Sequence, residues 1–209
     1  MKILHLYHDF MNLYGEYANT LALRDKLISM GRQCTIEKKT FGDDYDFSDY
    51  DILYIGSGTE RNQKIVLEDL RSRADSLKSF VSSGRVVLMT GNSFEILGRS
   101  ITDANGKEYE GLGFFDFTVA EQNKSRETSD ALFTTELFEG ELVGFINKCS
   151  EISGITEPLF KVKEGLANCK GDSGEGTRMN NLFCTHLIGP ALMRNDNFCS
   201  YLAKLAATR

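Results

Sequence analysis

The chain has 209 residues, 41% of them hydrophobic and 26% charged, enough for one domain with a real core and too apolar for a disordered protein. A formal net charge of −6 speaks against a general nucleic-acid-binding surface. No apolar run approaches the roughly 18 residues that a bilayer span needs.

The opening MKILHLYHDF carries His5, His8 and Asp9 where an export signal would be apolar, so no signal is read there. Residues 2–7 alternate like a short strand, 13–15 form a loop, and 20–30 read as a helix stopped by Gly31. A second strand at 33–38 is followed by an acidic, aromatic linker at 43–51. A third strand at 51–55 runs into Gly56-Ser57-Gly58. Residues 63–80 read as one long amphipathic helix, 86–89 as a strand and 93–97 as the start of a short helix. Apolar strands alternating with helices predict a mostly parallel sheet covered on both faces. Such sheets bind ligands beyond the C-terminal ends of their strands, where loops 13–19, 56–63 and 90–93 would lie.

The second half changes character. Short strands are expected at 114–119, 131–135, 142–147, 159–162 and 182–187, and a terminal helix at 198–207. Residues 168–181, rich in Gly, Asp, Ser and Asn, read as a long loop. Pro158 and Pro190 fall at strand edges or turns. No linker or repeat divides residues 1–209, so one domain is expected. Five widely spaced cysteines, with no CxxC pair, argue for unpaired thiols in a reducing cytoplasm and against a structural zinc. No cofactor is called for.

The stretch VVLMTGNSFEILG (86–98) has the strand-turn-helix pattern that presents a nucleophile in many α/β enzymes, but its tip offers Thr90, Gly91, Asn92 and Ser93. Six segments, in order, resemble one family. HLYHDFMNLYGEYAN (5–19) is similar to HLYPDxxNLYGDxGN, YIGSGTERNQ (54–63) to LGGGQDxEQ, and GNSFEILG (91–98) to CGGYQLLG. GLGFFDF (111–117) is similar to GLGxxD, ELVGFINK (141–148) to EIxGFENH, and CTHLIGP (184–190) to GTYLHGP. These are motifs of CobB/CobQ-like class I glutamine amidotransferases, most nearly those of the glutaminase-type subunit of lipid II isoglutaminyl synthase.

The resemblance implies a flavodoxin-like three-layer α/β sandwich, with extra short strands in the second half. It also implies a glutaminase whose ammonia passes to a Mur-ligase-like synthetase amidating a peptidoglycan precursor; relatives serve corrin precursors. That chemistry needs a cysteine thiolate at a helix N-terminus, a histidine base, and backbone N–H groups for the oxyanion. Aligned without gaps, the nucleophile position is Gly91 and the base position Ile188, and neither can act. Thr90, Ser93 and His186 are weak substitutes. Cys184 and His186 share one face of the 182–187 strand, where a dyad competes with plain strand packing.

The binding region implied by the resemblance comprises Gly56, Ser57, Gly58, Asn92, Glu95 and Arg126. In and around it Ser57 replaces a glycine, Thr59 a glutamine, Glu95 a glutamine and Lys148 a histidine. Glu95 would put a charge near the place of glutamine. Arg126 would either hold a ligand carboxylate or be a solvated surface arginine. The expectation is a glutaminase-like subunit without glutaminase activity, binding a synthetase and holding either glutamine or an altered small ligand. The alternative is an active subunit with a non-cysteine nucleophile.

Overall fold

The computed structural model describes residues 1–123 and 126–208. The chain opens with β1 (Lys2–Leu6), α1 (Ala18–Ser29), β2 (Thr35–Lys39), β3 (Ile52–Ile55), α2 (Glu60–Arg71), α3 (Ala74–Ser82) and β4 (Val86–Thr90). A buried 3-10 turn, Gly91–Leu97, follows β4 directly. Then come β5 (Ser100–Thr102), β6 (Glu108–Glu110), β7 (Thr118–Glu121), β8 (Glu127–Thr134), β9 (Leu142–Lys148) and β10 (Ser150–Ser153). The chain continues through β11 (Phe160–Glu164), β12 (Gly174–Glu175), β13 (Thr177–Met179) and β14 (Leu182–Thr185) to α4 (Ala191–Arg194) and α5 (Asp196–Ala207).

Every residue of β3, β4 and β14 is buried, which is why these segments read as unbroken apolar runs. They lie inside a six-stranded sheet of order β13-β14-β4-β3-β1-β2. All its neighbours pair in parallel except the β13–β14 hairpin. Leaving β13 aside, this is the flavodoxin-type order, in which the chain reverses direction across the sheet at β1 and β3.

Alternating side chains supply two cores. Leu4, Leu6, Leu53, Ile55, Val87 and Met89 meet Val66 and Leu70 of α2 and Phe80 of α3. On the other face Ile3, Ile52, Val86, Leu88 and Phe183 meet Leu23 of α1 and Phe198 and Leu202 of α5. The result is the expected three-layer sandwich. The second half adds two four-stranded sheets, β10-β7-β5-β6 and β12-β11-β8-β9. The first extends one core through Ile101, Val119 and Ile152, and the second extends the other through Phe133, Ile146 and Phe160.

Two expectations are corrected. The helix read at 63–80 is two helices. Ser72 and Arg73 leave the α-helical ladder, donating to Asp69 O and Leu70 O, and the Ser72 hydroxyl bonds Asp69 O at 2.8 Å. Arg73, with φ −116°, then reaches back over the Tyr45 ring at 4.3 Å. The loop read at 168–181 contains β12 and β13. Strands of two and three residues carry no periodicity that composition could reveal. Among the described residues no helix is long and apolar enough to cross a membrane.

Candidate active site

The three loops expected at the C-terminal edge of the sheet do gather there, each tied to another. Leu13 N donates to Ser57 O at 2.9 Å, Gly58 N to Asn92 Oδ1 at 3.0 Å, and Gln63 Nε2 to Asn92 O at 2.6 Å. A fourth segment joins them from the second half: Gly189 N donates to Glu16 Oε1 at 3.1 Å, and Ile188 N to Phe145 O at 2.9 Å.

The centre is the turn after β4. Gly91 has φ +61°, a conformation that costs glycine little and strains any other residue. A side chain there would collide at once, because an ideal Cβ lies 2.3 Å from Ser57 Oγ and 2.4 Å from Ser57 Cβ. Gly56 and Gly58 are held as closely from behind, by Met11 O at 2.5 Å and Met11 Sδ at 2.3 Å from their ideal Cβ positions. All seven residues of the turn are buried, and Ser57 and Asn92 are only 5% and 7% exposed.

The hydroxyls nearby are engaged. The single Ser93 O–H is shared between Thr90 O at 2.8 Å and Ile55 O at 3.1 Å. Thr90 Oγ1 bonds the Glu16 carboxyl and lies 2.9 Å from Tyr54 OH. Ile188 is 1% exposed and offers only hydrocarbon. Of the glycine-rich loop's N–H groups, that of Gly58 is already bonded to Asn92 Oδ1.

Two buried polar networks lie beside the turn. In the first, Glu16 accepts from Tyr54 OH at 2.9 Å and from Gly189 N, in addition to Thr90. Burial lifts its carboxyl to about 7, and the hydrogen bonds from Thr90, Tyr54 and Gly189 pull the value down only in part. In the second network, His186 Nε2 stands 3.1 Å from Glu95 Oε1, and Nδ1 is 3.3 Å from Glu175 Oε1, off the line of a hydrogen bond. Glu95 also accepts from Gln63 Nε2 at 2.6 Å and Ser150 Oγ at 2.5 Å. Glu175 accepts from Thr185 Oγ1 at 2.6 Å and His186 N at 2.7 Å. Burial opposes charge on His186, but Glu175 and Glu95 outweigh it and raise its pKa. Burial likewise opposes charge on Glu95, and His186 and Ser150 outweigh it and lower its pKa.

This geometry corrects several expectations. Glu95 does not stand free in a glutamine pocket; it is 2% exposed and fully bonded within the fold. Cys184 and His186 make no dyad, because the ring is held by carboxylates and burial pushes the Cys184 thiol well up. Arg126 is exposed at the surface, but its guanidinium is engaged within the fold rather than free to clamp an anion. Its Nη1 pairs with Glu60, and its Nε and Nη2 donate to Asn147 Oδ1 at 2.5 Å and Asn147 O at 2.9 Å. Cys149 beside it donates to Glu60 Oε1 at 3.2 Å; burial and that carboxylate push the thiol up to about 12. Sequence reading missed Glu16 and Glu175. Nothing marks Glu175 in a polar stretch, whereas Glu16 sits inside a quoted motif whose acidic position could have been followed.

A flavodoxin-type sheet with a sharp turn at the end of β4, faced by a glycine-rich loop, is the architecture of the glutamine amidotransferases. Solved structures agree on the fold. A glutamine amidotransferase superposes with a TM-score of 0.61 at 14% identity over 98% of both chains. The glutaminase domain of Trypanosoma brucei CTPS with bound acivicin gives 0.57 at 10% identity, over 100% of this chain and 94% of that one. Residues 2–196 match the CobB/CobQ-like glutamine amidotransferase domain, and the chain belongs to that family. It is similar to the GatD subunit of the glutamine-hydrolyzing lipid II isoglutaminyl synthase of Streptococcus pneumoniae, 32% identical over 99% of this chain and 80% of that one. The Staphylococcus aureus GatD subunit is 30% identical over 100% of this chain and 85% of its own.

Proposed function

We propose that this protein is a glutamine amidotransferase-like subunit that does not hydrolyse glutamine. It acts by binding a Mur-ligase-like amide synthetase in peptidoglycan precursor amidation, and this reading puts its work in the cytoplasm. In the motif alignment Gly91 takes the cysteine's position and Ile188 the histidine's. Glutamine hydrolysis needs a nucleophile to attack the amide carbon, a base to move its proton to the leaving ammonia, and donors for the oxyanion. A hydrogen atom and a sec-butyl group supply neither of the first two. Engagement of Gly58 N by Asn92 weakens the third.

The observation that carries the reading is Ser57 occupying the space in front of Gly91. A site that had lost only its cysteine would leave that space open, whereas here a second side chain has filled it. Rescue by Thr90 or Ser93 finds no support, because both hydroxyls are buried and bonded to groups that form the fold.

The test has two parts. Purified protein, alone and mixed with a Mur-ligase-like synthetase, is incubated with glutamine and ammonia is measured. Release at the blank rate is expected in both. Co-purification then asks whether the synthetase is bound. Glutamine-dependent ammonia well above the blank would overturn the loss of activity, and absence of any complex would overturn the binding role.

A further inference from the structure

A cavity of about 290 Å³ is walled by Gln122, Glu127, Lys148, Cys149, Ser150, Glu151 and Lys170 among others. Lys148 ends β9 and is 4% exposed. Its ammonium donates to Ala167 O at 2.6 Å and Asn168 O at 2.8 Å. An ammonium has three donors, so one N–H is left without an acceptor among the described residues. Nor does a carboxylate among those residues form an ion pair with it, although burying a cation is costly unless it is paired. The buried carboxylates of this region have other donors. Glu95 holds Gln63, Ser150 and His186, and Glu175 holds Thr185 and His186.

Of the lining residues Lys148 and Ser150 are buried, and the Ser150 hydroxyl is spent on Glu95, so Lys148 is the buried cation of this wall. Glu151 is half-buried, and Glu127, Ser153 and Lys170 are exposed. The cavity's size lies near the lower end of the range for small-molecule sites, about 300–1,000 Å³.

We propose that this cavity binds a small carboxylate-bearing molecule, with its carboxylate received by the Lys148 ammonium and its other end held among Gln122, Glu127 and Lys170. The cavity shares no lining residue with the Gly91–Leu97 turn, although Ser150 of its wall bonds Glu95 there, and its occupancy does not depend on whether glutamine is hydrolysed. Lys148 then owes its charge to a ligand, which explains a buried ammonium that neutral carbonyls alone satisfy.

The test is a titration of the full chain with succinate and with L-glutamate, followed by amide NMR shifts, with succinamide as the uncharged control. Saturable shifts at Lys148, Cys149, Ser150 and Lys170 are expected with at least one carboxylate and not with succinamide. Lys148→Met should weaken binding at least about tenfold. Because that change could disturb the core, Ser153→Trp is the second variant. It narrows the cavity from an exposed position, and should weaken binding with the melting temperature unchanged. No saturable shift with either carboxylate, an equal response to succinamide, or unchanged affinity in a folded Ser153→Trp variant would each overturn the proposal.

Discussion

Ser57 and Gly91 share one side chain's worth of space: the Ser57 Oγ stands 2.3 Å from where a Cβ on Gly91 would be. Returning a cysteine to Gly91 therefore asks for more than one substitution. Gly91→Cys alone should lower stability by about 1–3 kcal/mol, from overpacking and from a side chain at positive φ. Ser57→Gly in the same chain should recover the overpacking part. Urea unfolding of the two variants checks this. Equal stability of Gly91→Cys and wild type would show that Ser57 can move aside.

Ammonia release should follow a strict order in the same series. Gly91→Cys with Ser57→Gly remains inactive, because Ile188 cannot take a proton, and adding Ile188→His is the first step at which glutamine-dependent ammonia is expected. Activity before that step would mean another base has been overlooked.

The Glu95–His186 contact stands where the quoted motifs have Gln and Tyr. His186→Tyr alone leaves Glu95 and Glu175 buried without their cation and should cost about 3–5 kcal/mol, whereas Glu95→Gln leaves His186 facing Glu175 and should cost less. The double change removes the Glu95–His186 interaction from both sides and should cost less than the sum by about 2 kcal/mol in a double-mutant cycle. The signs for pH follow from the shifts. Glu95, with its pKa lowered, stabilises above the ordinary carboxylate range and loses that as pH falls through its folded value. His186, raised, stabilises below the ordinary imidazole range and loses that as pH climbs through its folded value. Additive single costs would sink the pairing.

Glu16 runs the other way from most carboxyls. Its ordinary value is 4.5 and burial lifts it to about 7 in the fold. The folded chain then keeps a proton that the unfolded chain releases, so this contribution is full below 4.5 and is lost as pH rises to about 7. Glu16→Gln, which cannot ionise, should flatten that fall. The difference between wild type and variant should grow by up to about 3 kcal/mol across the interval. Parallel stability curves for the two would show that Glu16 titrates normally.

Thr90→Ala removes one donor from the buried Glu16 carboxyl and should cost about 1–3 kcal/mol in chemical denaturation. Ser93→Ala should cost about 1 kcal/mol, since Ile55 O and Thr90 O are acceptors in the β4 region that lose a hydroxyl donor. On the proposed function ammonia release stands at the blank rate, and neither change should alter it. A drop in a measurable rate for either would revive a hydroxyl nucleophile.

The parallel half of the fold was legible because its inner strands β3 and β4 are buried on both faces and its stops are glycines. β4 and the turn at Gly91 could be placed from Val86-Val87-Leu88-Met89 and the residues after it. The break between α2 and α3 was not, since Ser72 and Arg73 are tolerable helix residues and the bend is fixed by Asp69, Tyr45 and the core under Phe80. β12 and β13 were hidden for another reason. Their pairing partners lie outside the 168–181 stretch, Phe160 of β11 opposite Glu175 and Cys184 of β14 opposite Thr177. In the site, the altered positions were readable one at a time. That Glu95 and His186 answer each other, and that Glu175 closes the far side, required the fold.

The Glu95–His186–Glu175 cluster joins the turn after β4, strand β12, and the residue that follows β14. A change to the motif's tyrosine at His186 strands two buried carboxylates, while a change to its glutamine at Glu95 leaves a balanced pair behind. The order of substitution therefore decides the route. Taken through Glu95 first, the path stays among folded proteins of ordinary stability; taken through His186 first, it crosses the least stable member of the series.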